Sequence, residues 1–172
     1  ARRRLDVEMW RDSALMAGAR LDLTQEGPGS PVDDLNYRRR SLYLIVAREE
    51  LHPVLRMHDF PEASSHSPRR EPTTTPLQQL FLLNSAWMEQ RATDLADRLE
   101  PLGPVPGVRE AYRLLFSREP EAAELQLGQE YLTPGKDLVA ETADAATRAA
   151  AVKALWQDYC QILMSINEFH FV

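Results

Sequence analysis

The sequence predicts an all-α fold, an irregular bundle of about five to six helices around one long central helix at about residues 76–100. Two observations support this prediction. Apolar residues recur at three- and four-residue spacing from Leu77 to Leu99, which is typical of one helix face. The other amphipathic segments are separated by Pro- and Gly-rich breaks, and the only run with a β-rich composition is the short stretch 42–46.

The central helix has clear end signals. Thr75 is a suitable N-cap, because Pro76 can occupy the first helical position without losing a hydrogen bond. Pro101 and Gly103 end the pattern. Residues 80–83 are apolar all round, so we expect this half of the helix to be enclosed on every side.

The remaining elements follow in order along the chain. Residues 4–19 form an amphipathic helix, and 20–36 have the composition of a loop. For 37–50 a strand at 42–46 is an alternative, but we favour a short helix because Leu42, Ile45 and Val46 pair at helical spacing. A long ordered loop at about 51–75 comes next, and further helices are expected at 108–116, 120–132 and 144–167. The apolar tail EFHFV suits a docked terminus.

Composition limits the classes of function. The 172 residues suit a single helical domain, and a net charge of −6 argues against nucleic acid as the main partner. The lone Cys160 excludes an internal disulfide, a CxxCH haem attachment and a Cys-rich zinc site in these residues. No apolar run reaches the length of a transmembrane helix. The start, ARRRLDVEMW, lacks the apolar core of a signal peptide, and we expect a C-terminal fragment of a longer multidomain chain.

Several segments of the sequence together resemble one family. They are RRLDVEMWRDSALMAGARLDL at 3–23, RRSLYLIVAR at 39–48, HDFPEAS at 58–64, TTTPLQQLFLLN at 73–84, YRLLFSREPEAAEL at 112–125 and LMSINEFHFV at 163–172. In this order they resemble the C-terminal domain of unknown function of secreted planctomycete proteins that also carry a cytochrome-c-like module. His58 departs from the pattern, because an aromatic residue often precedes the aspartate there.

The resemblance implies a context rather than a reaction. It implies an extracytoplasmic location, periplasmic or at the cell surface, and a multidomain chain with haem c in an upstream domain. It brings no catalytic residues with it, and the residues themselves lead us to expect no cofactor in this chain. A role in docking onto that haem follows from the resemblance alone.

The candidate site residues lie in and around the 51–75 loop. Arg38, Arg39 and Arg40 precede it, and Arg69 and Arg70 lie near its end. Guanidinium groups bind carboxylates, sulfates and phosphates through paired hydrogen bonds, which would make an anion site. They also satisfy irregular backbone and pin loops, which is the interpretation we favour.

Other polar residues support structural more than catalytic roles. Asp59 is expected to cap a turn or pair with an arginine, and the spacing of His52, His58 and His66 matches no compact metal site. The serines and threonines lack a nucleophile motif, and Cys160 lies on an apolar helix side. Asn84 sits within the apolar run, and we expect its amide to bond loop backbone near residues 69–74.

We therefore predict a non-catalytic helical module whose partners are sister domains or other protein subunits, with homo-oligomerisation as a further option. This prediction rests on the absence of a catalytic sequence motif and on the expected pinning of the 51–75 loop by arginines. The alternative is part of a composite active site acting on an anionic, acidic or sulfated polysaccharide. A pocket lined by Arg39, Arg69, His58 and Asp59 would favour the alternative, whereas internal partners for the same side chains would favour the module.

Overall fold

The computed structural model describes residues 3–62, 64, 66–133 and 144–171. Over these residues the fold is all-α, as predicted. The helices are α1 (Val7–Ala17), α2 (Pro53–Met57), α3 (Pro76–Asn84), α4 (Ala86–Leu99), α5 (Pro104–Phe116), α6 (Ala122–Leu132), α7 (Ala145–Ser165) and α8 (Asn167–His170). Two 3-10 turns lie at Ser41–Tyr43 and Glu100–Leu102. In the described part, no helix has the length and apolar character needed to cross a membrane.

The predicted central helix begins at Pro76 as expected but is divided at Ser85. The Thr75 hydroxyl accepts a hydrogen bond from the Gln78 amide, and the Gln78 side chain accepts one from the Thr75 amide, which makes a capping box. Ser85 is extended, with φ −81° and ψ 137°, and its hydroxyl accepts from the Met88 amide. The prediction of one continuous helix was wrong because Ser85 caps a second helix instead of continuing the first.

The centre of the fold is α4, which packs along α7 and also contacts α1 and α5. The α4 side chains that face these neighbours are fully buried: Met88, Ala92, Leu95, Ala96 and Leu99. From α7, Trp156 packs so tightly on α5 that a Cβ at Gly107 would lie 2.4 Å from its ring. The core therefore centres on α4 rather than on α3.

The first half of the predicted central helix is less enclosed than expected. Leu82 is buried, but Leu77, Leu80 and Leu83 are 61%, 56% and 54% exposed. The expectation that this half is enclosed on every side was therefore wrong for the chain by itself. The neighbouring helices cover only one side of α3, whereas its apolar side chains lie all around the helix.

Residues 37–50 differ from the prediction of a short helix. Beyond the single turn at Ser41–Tyr43, the segment pairs with earlier loop residues through isolated bridges, Asp22 with Arg39 and Ser30 with Leu44. The Ile45 amide donates to the Ser30 carbonyl at 3.0 Å. The helix predicted from the spacing of Leu42, Ile45 and Val46 was wrong because all three side chains are exposed rather than packed on a common face.

The two ends of the described chain meet. The Leu5 amide donates to the His170 carbonyl at 2.8 Å, and Arg4 forms a bridge with Phe171. Phe169 and His170 are buried. The predicted docking of the apolar tail is confirmed. Among the other boundaries, α5 begins at Pro104, inside the expected linker, because proline is well tolerated in a first helical turn.

Candidate functional site

The prediction of one long loop at 51–75 was wrong for residues 53–57, which form α2 because His52 and Pro53 start a helix there. The described residues after it, 58–62, 64 and 66–75, form no helix and are called the 58–75 segment below. His52 caps α2, since its Nδ1 accepts from the Val54 amide at 3.3 Å, and Pro53 is the first helical residue. After α2, Asp59 has a positive φ of 61°. Aspartate tolerates this left-handed conformation better than most residues. The turn at Asp59 directs the chain back towards the start of α3.

Asp59 holds the end of the 58–75 segment. Its carboxylate accepts from both the amide and the hydroxyl of Thr73, each at 2.8 Å. Arg4 lies 3.7 Å from the same carboxylate and also donates to the Thr73 carbonyl. One carboxylate and one guanidinium thus fix both backbone groups of Thr73.

Gln78 completes this network from the first turn of α3. Its side chain is fully buried, and its Oε1 accepts from Arg4 at 2.8 Å and from the Thr75 amide at 3.0 Å. Its Nε2 donates to the Met57 carbonyl at 2.7 Å. A buried amide must find such partners, so Gln78 ties α2, the 58–75 segment and α3 together. This role of Gln78 was not predicted, although position N3 after Thr75-Pro76 is a signal for a capping glutamine.

Arg70 is bound within the chain. Its guanidinium forms two hydrogen bonds of 2.7 Å to the Glu8 carboxylate and lies 4.7 Å from the Phe60 ring centroid. The hydrogen bond to Glu8 raises the pKa of Arg70. This bidentate geometry attaches the 58–75 segment to α1.

Of the other predicted arginines, Arg69 lines the same surface groove as Arg70 and Asp59, whereas Arg39 and Arg40 lie apart from it. Arg39 donates to the carbonyls of Thr24 at 3.2 Å and Pro28 at 3.1 Å, and it lies 4.3 Å from the Tyr43 ring centroid. Arg40 lies 3.7 Å from Asp12 of α1. Arg69 is exposed, and its side chain has no hydrogen-bond or ion-pair partner in the described part of the chain. The loop is therefore held by Arg4 and Arg70 with Asp59 and Gln78.

His58 is half-buried against an aromatic group centred on Trp10. Its ring stacks on Trp10 with a centroid distance of 5.4 Å, and its Nδ1 lies 2.9 Å from the Val54 carbonyl. His170 also stacks on Trp10, at 6.0 Å, with its Nε2 3.0 Å from the Met164 carbonyl. Burial lowers the pKa of His58, and it lowers the pKa of His170 to about 4. Arg4 and both histidines border a cavity of about 20 Å³, which has room for about one water molecule.

The candidate metal ligands lie apart. His52 is 3.3 Å from Asp33, His58 is bound as described above, and His66 is exposed. Over the described ranges, no three His, Cys, Asp or Glu side chains are grouped to hold a metal ion. Cys160 is fully buried, and burial raises the pKa of its thiol.

The expected partner of Asn84 is wrong. Its Nδ2 donates to the Leu80 carbonyl of its own helix at 2.9 Å, and the residue is exposed. The amide therefore does not reach the backbone at 69–74. The reason is the break at Ser85, which places Asn84 in the last, solvent-facing turn of α3 rather than in the middle of a buried helix.

Two buried cations were also missed. Arg11 and Arg91 are 0% and 1% exposed, and their guanidinium carbons lie 5.4 Å and 5.3 Å from the Trp87 ring centroid. Arg11 donates to the Tyr37 carbonyl at 2.7 Å, and burial lowers its pKa to about 10. Their spacing was a usable signal, since each arginine lies four residues from apolar core residues on both sides.

The contacts around Asp59, Arg70 and His58 are thus internal to the chain. The sequence was also compared with models of known protein families. The model of the family PSD1, described as a protein of unknown function (DUF1553), matches residues 1–132. The chain belongs to the PSD1 family. Neither a curated protein nor a solved structure matches this PSD1 chain significantly.

Proposed function

We propose that this PSD1 chain is a non-catalytic interaction module that packs against another domain of its own polypeptide or against another subunit. The observation that carries the proposal is the leucine stripe of α3, defined by Leu77, Leu80 and Leu83. All three side chains are more than half exposed. They follow one another at a spacing of three, which places them on one side of the helix.

The surroundings of the leucine stripe support an interface. α7 packs against α3, and Ile162 of α7 and Ile166, which caps its C-terminal end, are 46% and 37% exposed. Gln161 of α7 donates to the Leu83 carbonyl at 2.8 Å. Covering the exposed part of each leucine would stabilise a complex by about 1 kcal/mol, since full burial contributes about 1.5–3 kcal/mol. Exposed apolar side chains that recur along one helix face are typical of interaction sites.

The polar residues that were candidates for a site are bound to partners within the chain, which supports a non-catalytic module. Asp59 binds Thr73, Arg70 binds Glu8, and His58 is stacked on Trp10. A substrate would have to displace these partners. Arg39 lies in a groove with Arg38, whereas Arg69 lies in a different groove with Asp59, His66 and Arg70.

The alternative role, part of a composite active site for an anionic polysaccharide, receives less support because its residues are separated or already bound. The resemblance of the sequence extends the favoured proposal to a context. In that context the module belongs to an extracytoplasmic, multidomain protein of planctomycete type with haem c in an upstream domain. Homo-oligomerisation through the leucine stripe is one form that the interaction could take.

Site-specific photo-cross-linking in the intact protein tests the proposal. A benzophenone amino acid at position 80 should give cross-links to another domain or another chain, identified by mass spectrometry. The matched control is position 127, because Leu127 on α6 is 66% exposed but lies outside the leucine stripe. Absence of cross-links from position 80, or the same pattern from both positions, would overturn the proposal.

A further inference from the structure

A basic groove lies near the C-terminal end of α1, away from the leucine stripe. Its walls are residues 19–22 and 36–39, and its volume is about 520 Å³. The Asp22 amide donates to the Arg38 carbonyl at 2.9 Å, and Asp22 forms a parallel bridge with Arg39. These backbone contacts hold the two walls side by side, so the groove is a built feature of the fold.

Arg20, which lines the groove, pairs with the carboxylate of Asp94, and Arg91 pairs with the same carboxylate. α1 ends so close to α4 that a Cβ at Gly18 would lie 2.8 Å from the Cβ of Asp94. This approach lets Arg20 Nε reach Asp94 Oδ1 at 3.0 Å. The other oxygen of Asp94 lies 3.0 Å from Arg91 Nε, in an ion pair without hydrogen-bond geometry. One carboxylate therefore serves two guanidinium groups.

The groove contains more positively than negatively charged side chains. Three arginines, Arg20, Arg38 and Arg39, line the groove with a single carboxylate, Asp22. Burial lowers the pKa of Arg91 behind it, and repulsion by Arg38 and Arg20 lowers that pKa further, while Asp94 opposes the change. The whole chain carries a net charge of −6, so the local excess is not a general property of the protein.

Donors remain available in this cluster. Arg38 is exposed, and within the described residues its side chain forms no hydrogen bond or ion pair. Arg39 Nη2 and Arg91 Nη1 also lack a hydrogen-bond partner in the described structure, but both atoms are buried, so the accessible donors are those of Arg38 and of the partly exposed Arg20. Guanidinium groups with free N–H donors bind oxyanions strongly because charge and geometry both match.

We propose that the groove between residues 19–22 and 36–39 binds an oxyanion group, a carboxylate, sulfate or phosphate, with Arg38 as the main contact and Arg20 beside it. The bound anion offsets the charge of the groove arginines that Asp22 and Asp94 leave uncompensated. This site goes beyond the interaction through the leucine stripe and depends on different residues. It also differs from the arginine group expected from the sequence, because Arg69 and Arg70 lie elsewhere.

Titration of the full chain with sodium sulfate tests the site. Amide chemical shifts are followed by NMR, with sodium chloride at matched ionic strength as the reference for screening. Sulfate should shift the amides of residues 19–22 and 36–39 in a saturable manner. Parallel titrations with phosphate and acetate rank the three oxyanion classes.

The variants compare two exposed arginines. Arg38→Gln should weaken sulfate binding about tenfold, the usual effect of losing a hydrogen bond to a charged group. Arg69→Gln removes one positive charge outside the groove and should leave the affinity unchanged. The proposal is overturned if no anion gives saturable shifts, if the shifts fall outside the groove, or if both variants weaken binding equally.

Discussion

The two histidines on Trp10 predict that acid destabilises the fold. Burial holds the pKa of His170 at about 4 in the folded chain, below its ordinary value of 6.5. The unfolded chain therefore binds more protons below pH 6.5. The stabilising contribution is complete above about pH 6.5 and is lost as the pH falls towards about 4.

The magnitude follows from the size of this pKa difference. A fall from 6.5 to about 4 corresponds to at most about 3 kcal/mol of unfolding free energy, at about 1.4 kcal/mol per unit. The charged or titratable groups that act on His170 are Arg4 and His58, and both disfavour its protonation. His58 adds a loss in the same direction, because burial lowers its pKa as well.

Urea unfolding monitored by circular dichroism, at steps between pH 7 and pH 4, measures the effect. Carboxylate groups also contribute to acid unfolding, so the comparison is with His170→Gln, which lacks the titrating ring. The variant should lose about 3 kcal/mol less than the wild type over this range. His66→Gln, which removes an exposed histidine, should follow the wild type. Equal losses in the wild type and His170→Gln would refute the assignment of the effect to the buried ring.

Two further predictions concern single buried groups. Gln78→Leu should lower the unfolding free energy by about 3 kcal/mol, because the Thr75 amide, the Met57 carbonyl and Arg4 lose their partner. Urea unfolding of Gln126→Leu, an exposed glutamine, should show a change of at most about 0.5 kcal/mol, and an equal effect of both substitutions would contradict the role of Gln78. Cys160 should react with a thiol reagent only after unfolding, because it is fully buried and its thiol pKa is raised. Rapid labelling under native conditions, measured by absorbance, would place that thiol on the surface.

Local sequence signals predicted the helix starts better than the helix surroundings. Thr75 and Pro76 marked the start of α3 because capping acts within one turn. Ser85 was overlooked because the apolar spacing continues through it, although a serine is a good N-cap. Which α3 leucines face solvent depends on where α4 and α7 pack, and that cannot be obtained from the periodicity of one segment.

The polar contacts were less predictable because their partners are distant in sequence. Arg4 and Gln78 are 74 residues apart, and Arg70 and Glu8 are 62 residues apart. The stretch 51–75 was predicted to be one long loop pinned by arginines, but residues 53–57 form α2. The structure shows that Arg70 is one of its anchors and that Arg4, Asp59 and Gln78, which were not predicted to act together, are the others.

Amide hydrogen exchange at Thr73 and Thr75 tests most directly whether the 58–75 segment is fixed rather than free to close over a substrate. Their amides donate to Asp59 and to Gln78. We predict exchange at least about a hundredfold slower than in an unstructured peptide, with fast exchange at His66 and Arg69 in the exposed part. Exchange of Thr73 and Thr75 at the rate of an unstructured peptide would contradict the internal anchoring on which the non-catalytic proposal depends.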